Sequence, residues 1–205
     1  MQHERRQSAL ICNGQRNRHQ PAPGRREPWT TPSDGSHLAS ALHRIAGQAS
    51  TAAESDAVYA RVASSLDRLS GVRVDSLRVD EDDVRELLSL RMLERGGIEL
   101  PARNLSEGTL RYLALCVMLE DTRAGGLVCM EEPENGIHPA NMGSMIDLVR
   151  RLAVGPGEAP GTDNPFRQVI VNTHSPAVVQ LVGKDNLLFA TVRRHTGDPP
   201  TALRR

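Results

Sequence analysis

Apolar residues first recur at helical spacing at Leu38, Leu42 and Ile45, behind Asp34 or Ser36 as a cap, which predicts a helix. A second helix fits Ala57 to Leu69, with Val58, Val62, Leu66 and Leu69 on one face. The period then changes to two. Residues 72–79 (VRVDSLRV) alternate apolar and polar, as does part of 84–93, so both read as strands. Gly96 and Gly97 separate the second strand from Ile98, Glu99 and Leu100, as in a hairpin.

The second half is more regular. Residues 106–120 open on Ser106 and carry Leu110, Leu113, Ala114, Val117 and Met118 at helical spacing. Residues 126–130 (GLVCM) form a short unbroken apolar run, which reads as a buried parallel strand. A helix follows over about 139–153, and then a Gly/Pro-rich loop at 155–165. Another buried strand is predicted at 168–173 (QVIVNT), then a helix opened by Ser175 and Pro176, and last a strand at 187–192 (LLFATV). Strand, helix, strand, helix, strand is the rhythm of an α/β fold with a parallel sheet flanked by helices. Residues 1–35 have no such period. They carry six arginines between Arg5 and Arg26 and read as a disordered Arg-rich segment ahead of one domain over 36–205, with a nucleic-acid-binding arm as the alternative.

Composition narrows the classes. The 205 residues hold 25 basic and 25 acidic side chains, which gives no argument for a nucleic-acid-coating protein. No stretch has the ~18–20 consecutive apolar residues of a membrane span, and the N-terminus lacks the apolar core of a signal peptide, so a cytoplasmic protein without membrane insertion is expected. Cys12, Cys116 and Cys129 form no CxxC pair and no zinc-like cluster, and the last two read as small buried hydrophobes. Lys184 is the only lysine.

In open α/β sheets ligands sit at the carboxyl ends of the strands, which here are followed by Glu131, Glu132 and His174. Of two adjacent carboxylates, one can hold a divalent cation while the other takes a proton from an attacking water. A solvated pair at a strand exit would look the same. The surrounding residues extend the pattern: LSEGT at 105–109, GLVCMEEPENGIHP at 126–139 and QVIVNTHSP at 168–176 occur in that order. These resemble, respectively, the signature, the Walker B strand with its D-loop, and the switch-histidine strand of ABC-type ATPases. Their spelling is most similar to the RecF/SMC-like ATPases of the AAA family, which include the ATPase half of the overcoming-lysogenization-defect nucleases.

The resemblance covers about residues 34–200 and implies an ABC-ATPase-like head that uses ATP and Mg2+. Glu131 would take the metal position, with Glu where many relatives have Asp, and Glu132 the general base. Asn135 to His138 would form the D-loop, and His174 would meet the γ-phosphate or the attacking water. Ser106, Glu107, Gly108 and Thr109 would make the signature, facing nucleotide held by a second protomer, with the signature helix far from its own Walker B strand. Ser106 also reads as an ordinary helix cap, and His138 as a surface residue before Pro139.

A P-loop, GxxxxGK followed by Ser or Thr, is absent from these 205 residues. Around Lys184, Val178 stands in place of the first Gly and Asp185 in place of the hydroxyl. An Arg does not substitute, because its planar fork is not a point charge that a phosphate loop can wrap. The chain therefore resembles the C-terminal half of an ATPase head, a partial P-loop-type sheet, by truncation, gene splitting or degeneration. The expected partners are ATP and a homodimer or a polypeptide supplying the P-loop, with DNA a further candidate. The rival readings are a non-catalytic subunit that offers its signature to an intact ATPase, and a metal-dependent nuclease using Glu131, Glu132 and His174.

Overall fold

The computed structural model describes residues 8–11, 36–191 except 70, 83, 86, 156, 162 and 163, and 202–204. The fold is mixed α/β. Strand β1 (Ser8–Ile11) is followed by helix α1 (Ser36–Ala46), which turns Leu38, Ala39, Leu42, Ile45 and Ala46 into the core. Helix α2 (Ala52–Leu66) starts five residues earlier than the apolar period indicates. Thr51 caps it by accepting a hydrogen bond from Glu54 N at 3.2 Å, while the Glu54 carboxylate accepts from Ser50 N at 2.8 Å. Such reciprocal capping fixes a helix start independently of the apolar stripe.

Strands β2 (Val74–Asp82), β3 (Leu87–Glu94) and β4 (Glu99–Pro101) form an antiparallel sheet in that order. Gly96 and Gly97 sit in the β3–β4 turn with φ of 128° and 83°, a conformation that favours glycine. Strand β2 lies two to three residues C-terminal to its alternating window, while β3 falls within the second window except for its last residue.

Helix α3 (Glu107–Glu120) is the middle of the molecule. It buries Leu110 and every residue from Tyr112 to Met118, so it is apolar nearly all round, as an interior helix should be. It packs against α1, α2 and α4 (Met142–Leu152), the last preceded by a 3-10 turn at Pro139–Asn141. Strand β5 (Gly126–Glu131) leads from α3 into a parallel sheet of order β1-β5-β6, where β6 is Arg167–Asn172. Helix α5 (Pro176–Leu181) packs on α4.

Three expectations need correction. The SALI segment within 1–35 is a strand: Ser8–Ile11 pairs in parallel with Leu127–Met130, and the rest of 1–35 lies outside the described residues. The LLFATV run does not join the parallel sheet. Its strand, β7 (Phe189–Thr191), pairs antiparallel with β8 (Ala202–Arg204). Finally, among the described residues only one face of β5 and β6 packs into the core. Val128, Met130, Val169 and Val171 pack into the core, whereas the alternate side chains are less covered and Ile170 is 55% exposed.

Of the two described cysteines, Cys116 is buried and Cys129 half-buried, and both are free thiols. At the end of the sheet away from the strand exits, Arg167 is buried and donates to the Asp121 carbonyl at 3.0 Å, which ties β6 to the end of α3. Burial lowers its pKa, and Asp121 partly offsets this.

Candidate functional site at the strand exits

Parallel pairing carries β5 and β6 to a common end. Glu131 lies in register with Asn172, and Glu132 N donates to the Asn172 carbonyl at 2.8 Å, so the last ladder bond forms at the turn itself. Glu132 then departs from the strand with φ of +45°, which makes it the one non-glycine residue with positive φ among the described residues. A Glu in this region is uncommon, and strained residues of this kind cluster at functional sites. The turn is held from inside: Asn135 N donates to the Glu132 carbonyl at 3.0 Å, and Asn135 Nδ2 donates to Glu132 Oε2 at 2.8 Å. Glu131 is exposed, Glu132 half-buried, and His174 exposed just beyond β6.

Sequence reasoning missed Glu134. Its side chain is only 9% exposed and accepts a hydrogen bond from Thr173 Oγ1, which joins the loop after β5 to the segment after β6. Thr173 Oγ1 also accepts from Ser175 N at 3.0 Å. The signal was present as a third carboxylate in EEPE and a hydroxyl just before His174. Nothing local says that the two meet.

The residues of the LSEGT segment lie close by. Ser106 caps α3: its Oγ accepts from Thr109 N at 3.1 Å and shares a hydrogen bond with Thr109 Oγ1 at 2.8 Å. Glu107 is exposed and pairs with Arg111 at 2.6 Å. Gly108 is buried against Gly136, which has φ of 77°. Arg111 also donates to the Glu132 carbonyl at 3.3 Å. The expected separation between α3 and β5 does not hold at this end of the helix: α3 begins against the loop that leaves β5. Two facing glycines allow that approach. His138 is exposed, and its Nδ1 accepts from Ala140 N at 3.2 Å, capping the turn before α4 with a ring nitrogen that carries no proton in this geometry.

The family model for "AAA domain, putative AbiEii toxin, Type IV TA system" matches residues 31–180. The chain belongs to this AAA family. No curated protein matches it. Among solved structures, the Smc head bound to the C-winged helix domain of ScpA is similar, with TM-score 0.51 and 14% identity over 80% of this chain and 49% of that one. The Smc head of Pyrococcus yayanosii with a coiled coil and joint gives 0.49 and 14% over 75% and 27%. A structure from work on ATP-driven dimerisation and DNA-stimulated activation of SMC ATPases gives 0.47 and 12% over 72% and 83%. At such identities the likeness concerns the fold alone, and this AAA chain spans about half the length of the first of these heads.

Members of this family use nucleotide and Mg2+ in general. Among the described residues no group of three or more His, Cys, Asp or Glu could hold a metal ion by itself. Mg2+ beside a nucleotide usually takes one or two carboxylates, with phosphate and water completing the octahedron. The adjacent Glu131 and Glu132 fit that habit. Among the described residues no helix is long and apolar enough to cross a membrane.

Proposed function

We propose that this chain is the signature, Walker B and switch portion of an ATP-hydrolysing head, active when a P-loop from outside these 205 residues completes the nucleotide site. The observation that carries this is the paired exit of β5 and β6, where Glu131 and Glu132 leave one strand beside the segment carrying His174. When bound, Mg2+ would neutralise phosphate charge and position the oxygens to be displaced. Glu131, exposed at the strand end, is the carboxylate nearest in role to the metal. Glu132 is the general base: Asn135 engages Oε2, which orients the carboxylate and leaves Oε1 to take a proton from water. His174 donates an N–H towards the terminal phosphate or the water. Ser106 through Thr109 and the loop from Asn135 to His138 form a surface for a second protomer's nucleotide, where the start of α3 presents helix amides to an anion. Among the described residues the second face of β5 and β6 is less covered than the first, as at Ile170, which supports completion by further sequence, since parallel sheets are normally covered on both sides.

The absence of a P-loop motif in the sequence favours a second reading, a non-catalytic subunit that lends its signature to an intact ATPase. Mixing the chain with a P-loop-bearing half of a family member and measuring phosphate release separates the two. Under the first reading turnover appears, Glu132→Gln abolishes it while nucleotide binding persists, and Glu131→Gln weakens the dependence on Mg2+. Near wild-type turnover by Glu132→Gln would move the base elsewhere, and no turnover with any P-loop half would leave the second reading.

A further inference from the structure

The buried carboxylate of Glu134 has no role in the reading above, and its surroundings argue against one in stability. Oε1 accepts from Thr173 Oγ1, while Oε2 is buried with no hydrogen-bond partner among the described residues. A half-satisfied buried carboxylate holds a fold together less well than an apolar side chain of similar size. What the carboxylate does fix is a position. Its own backbone carbonyl accepts from Ile137 N at 3.0 Å, closing the turn that follows Glu132, and its side chain reaches across to the residue just before His174.

Thr173 makes this link directional. Its hydroxyl has one proton, which it gives to Glu134, and its oxygen accepts from Ser175 N at 3.0 Å. The backbone on both sides of His174 is thereby tethered to the loop that carries Glu132. A second tie runs in parallel, from Glu132 N to the Asn172 carbonyl at 2.8 Å. One tie alone would leave the segment free to pivot about the end of β6; a second restricts that pivot.

We propose that Glu134 is a positioning residue which, through Thr173, locks the loop bearing Glu132 to the segment bearing His174, so that base and switch histidine are set as one unit. This rests on the reading of Glu132 and His174 as base and switch. The link also reaches the signature helix, because the same loop carries Gly136 against Gly108 and the Glu132 carbonyl against Arg111. A displacement of α3 is then transmitted to His174 through Glu134.

The test uses the chain as it stands. Thr173→Val removes the hydroxyl at nearly constant shape, Thr173→Ser keeps it, Glu134→Gln keeps an oxygen acceptor, and Glu134→Ala removes it. Histidine-ring NMR, with His174 assigned from a His174→Gln variant, and amide hydrogen exchange at Ser175 are the readouts. Thr173→Val and Glu134→Ala should speed Ser175 exchange about fivefold to tenfold, as expected for one lost hydrogen bond. They should also move the His174 ring resonances, while Thr173→Ser and Glu134→Gln stay near wild type. In the reconstituted ATPase, Thr173→Val should lower kcat with KM for ATP unchanged. Wild-type exchange and ring resonances in Thr173→Val, or equal defects in Thr173→Ser and Thr173→Val, would overturn the proposal. If the wild-type chain never supports turnover, the functional reading fails while the NMR arms still decide the coupling.

Discussion

Gly108 offers a sharp test of how α3 meets the loop after β5. A Cβ built at Gly108 would lie 2.6 Å from the Gly136 carbonyl carbon, closer still to its oxygen, and 3.2 Å from Ile137 N. All three are backbone atoms, so no rotamer change relieves the clash. Overpacking of this kind costs about 1–3 kcal/mol, and an unyielding neighbour puts it at the upper end. Alanine gains up to about 1 kcal/mol over glycine within a helix, which offsets part of this. The expected net loss for Gly108→Ala is about 2–3 kcal/mol. For a chain of this size that corresponds to a Tm lower by roughly 4–12 °C.

Gly143 supplies the control. It too is the second residue of its helix, but its added Cβ would meet nothing within 4 Å. Gly143→Ala should leave stability unchanged or raise it by up to about 1 kcal/mol. Thermal unfolding followed by circular dichroism, with urea midpoints as a second measure, gives both values. The difference between the two variants isolates the clash, because the helix-propensity gain is shared. Equal Tm values for the two would mean that α3 does not dock on the loop at this spacing, and the argument for contact between Gly108 and the loop after β5 would fall with it.

Two further outcomes follow from the chemistry of the chain. Alone, it should bind Mg-ATP far more weakly than micromolar, since that affinity needs about −8 kcal/mol and one helix N-terminus supplies only about 0.3–1; titration calorimetry showing micromolar binding would refute this. Stability should fall at alkaline pH, because burial pushes the Cys116 thiol from 9.0 up to about 12 and the Tyr112 hydroxyl from 10.0 up to about 12. Below pH 9 both groups are protonated in folded and unfolded chains and their burial contributes fully. Above that the unfolded chain loses these protons first, so urea midpoints should drop between about pH 9 and 12, less steeply in Cys116→Ala than in the wild type. Equal slopes in the two proteins would refute the assignment for Cys116.

The helices and strands β5 and β6 of the parallel sheet were legible because burial writes itself into apolar spacing. Leu38, Leu42 and Ile45 mark α1 as they stand, and Val128 with Met130 marks the core face of β5. Where a boundary depends on a polar contact, the spacing misleads, as at Thr51, whose cap starts α2 ahead of its apolar stripe. An apolar run also does not say which sheet it enters. LLFATV has the composition of a central strand, yet Phe189 is 61% exposed and its partner is Leu203's strand. Ser8–Ile11 is the converse: four residues in an arginine-rich segment find their partner at Leu127–Met130, more than a hundred positions away, where no local period could announce it.

The same division runs through the candidate site. Positions set by one strand, such as Glu131, Glu132 and His174, could be read from the residues that follow an apolar run. Positions set by two segments could not, and these are the ones that join the parts. Glycine at 108 has a backbone reason that a phosphate contact alone would not reveal: Gly136 stands where any side chain would go. Arg111 then bridges from Glu107 to the Glu132 carbonyl, so helix α3 holds the carbonyl of the residue with φ of +45°. Together they tie the start of α3 to the Glu132 turn, so a displacement of that helix end bears directly on the residue with positive φ.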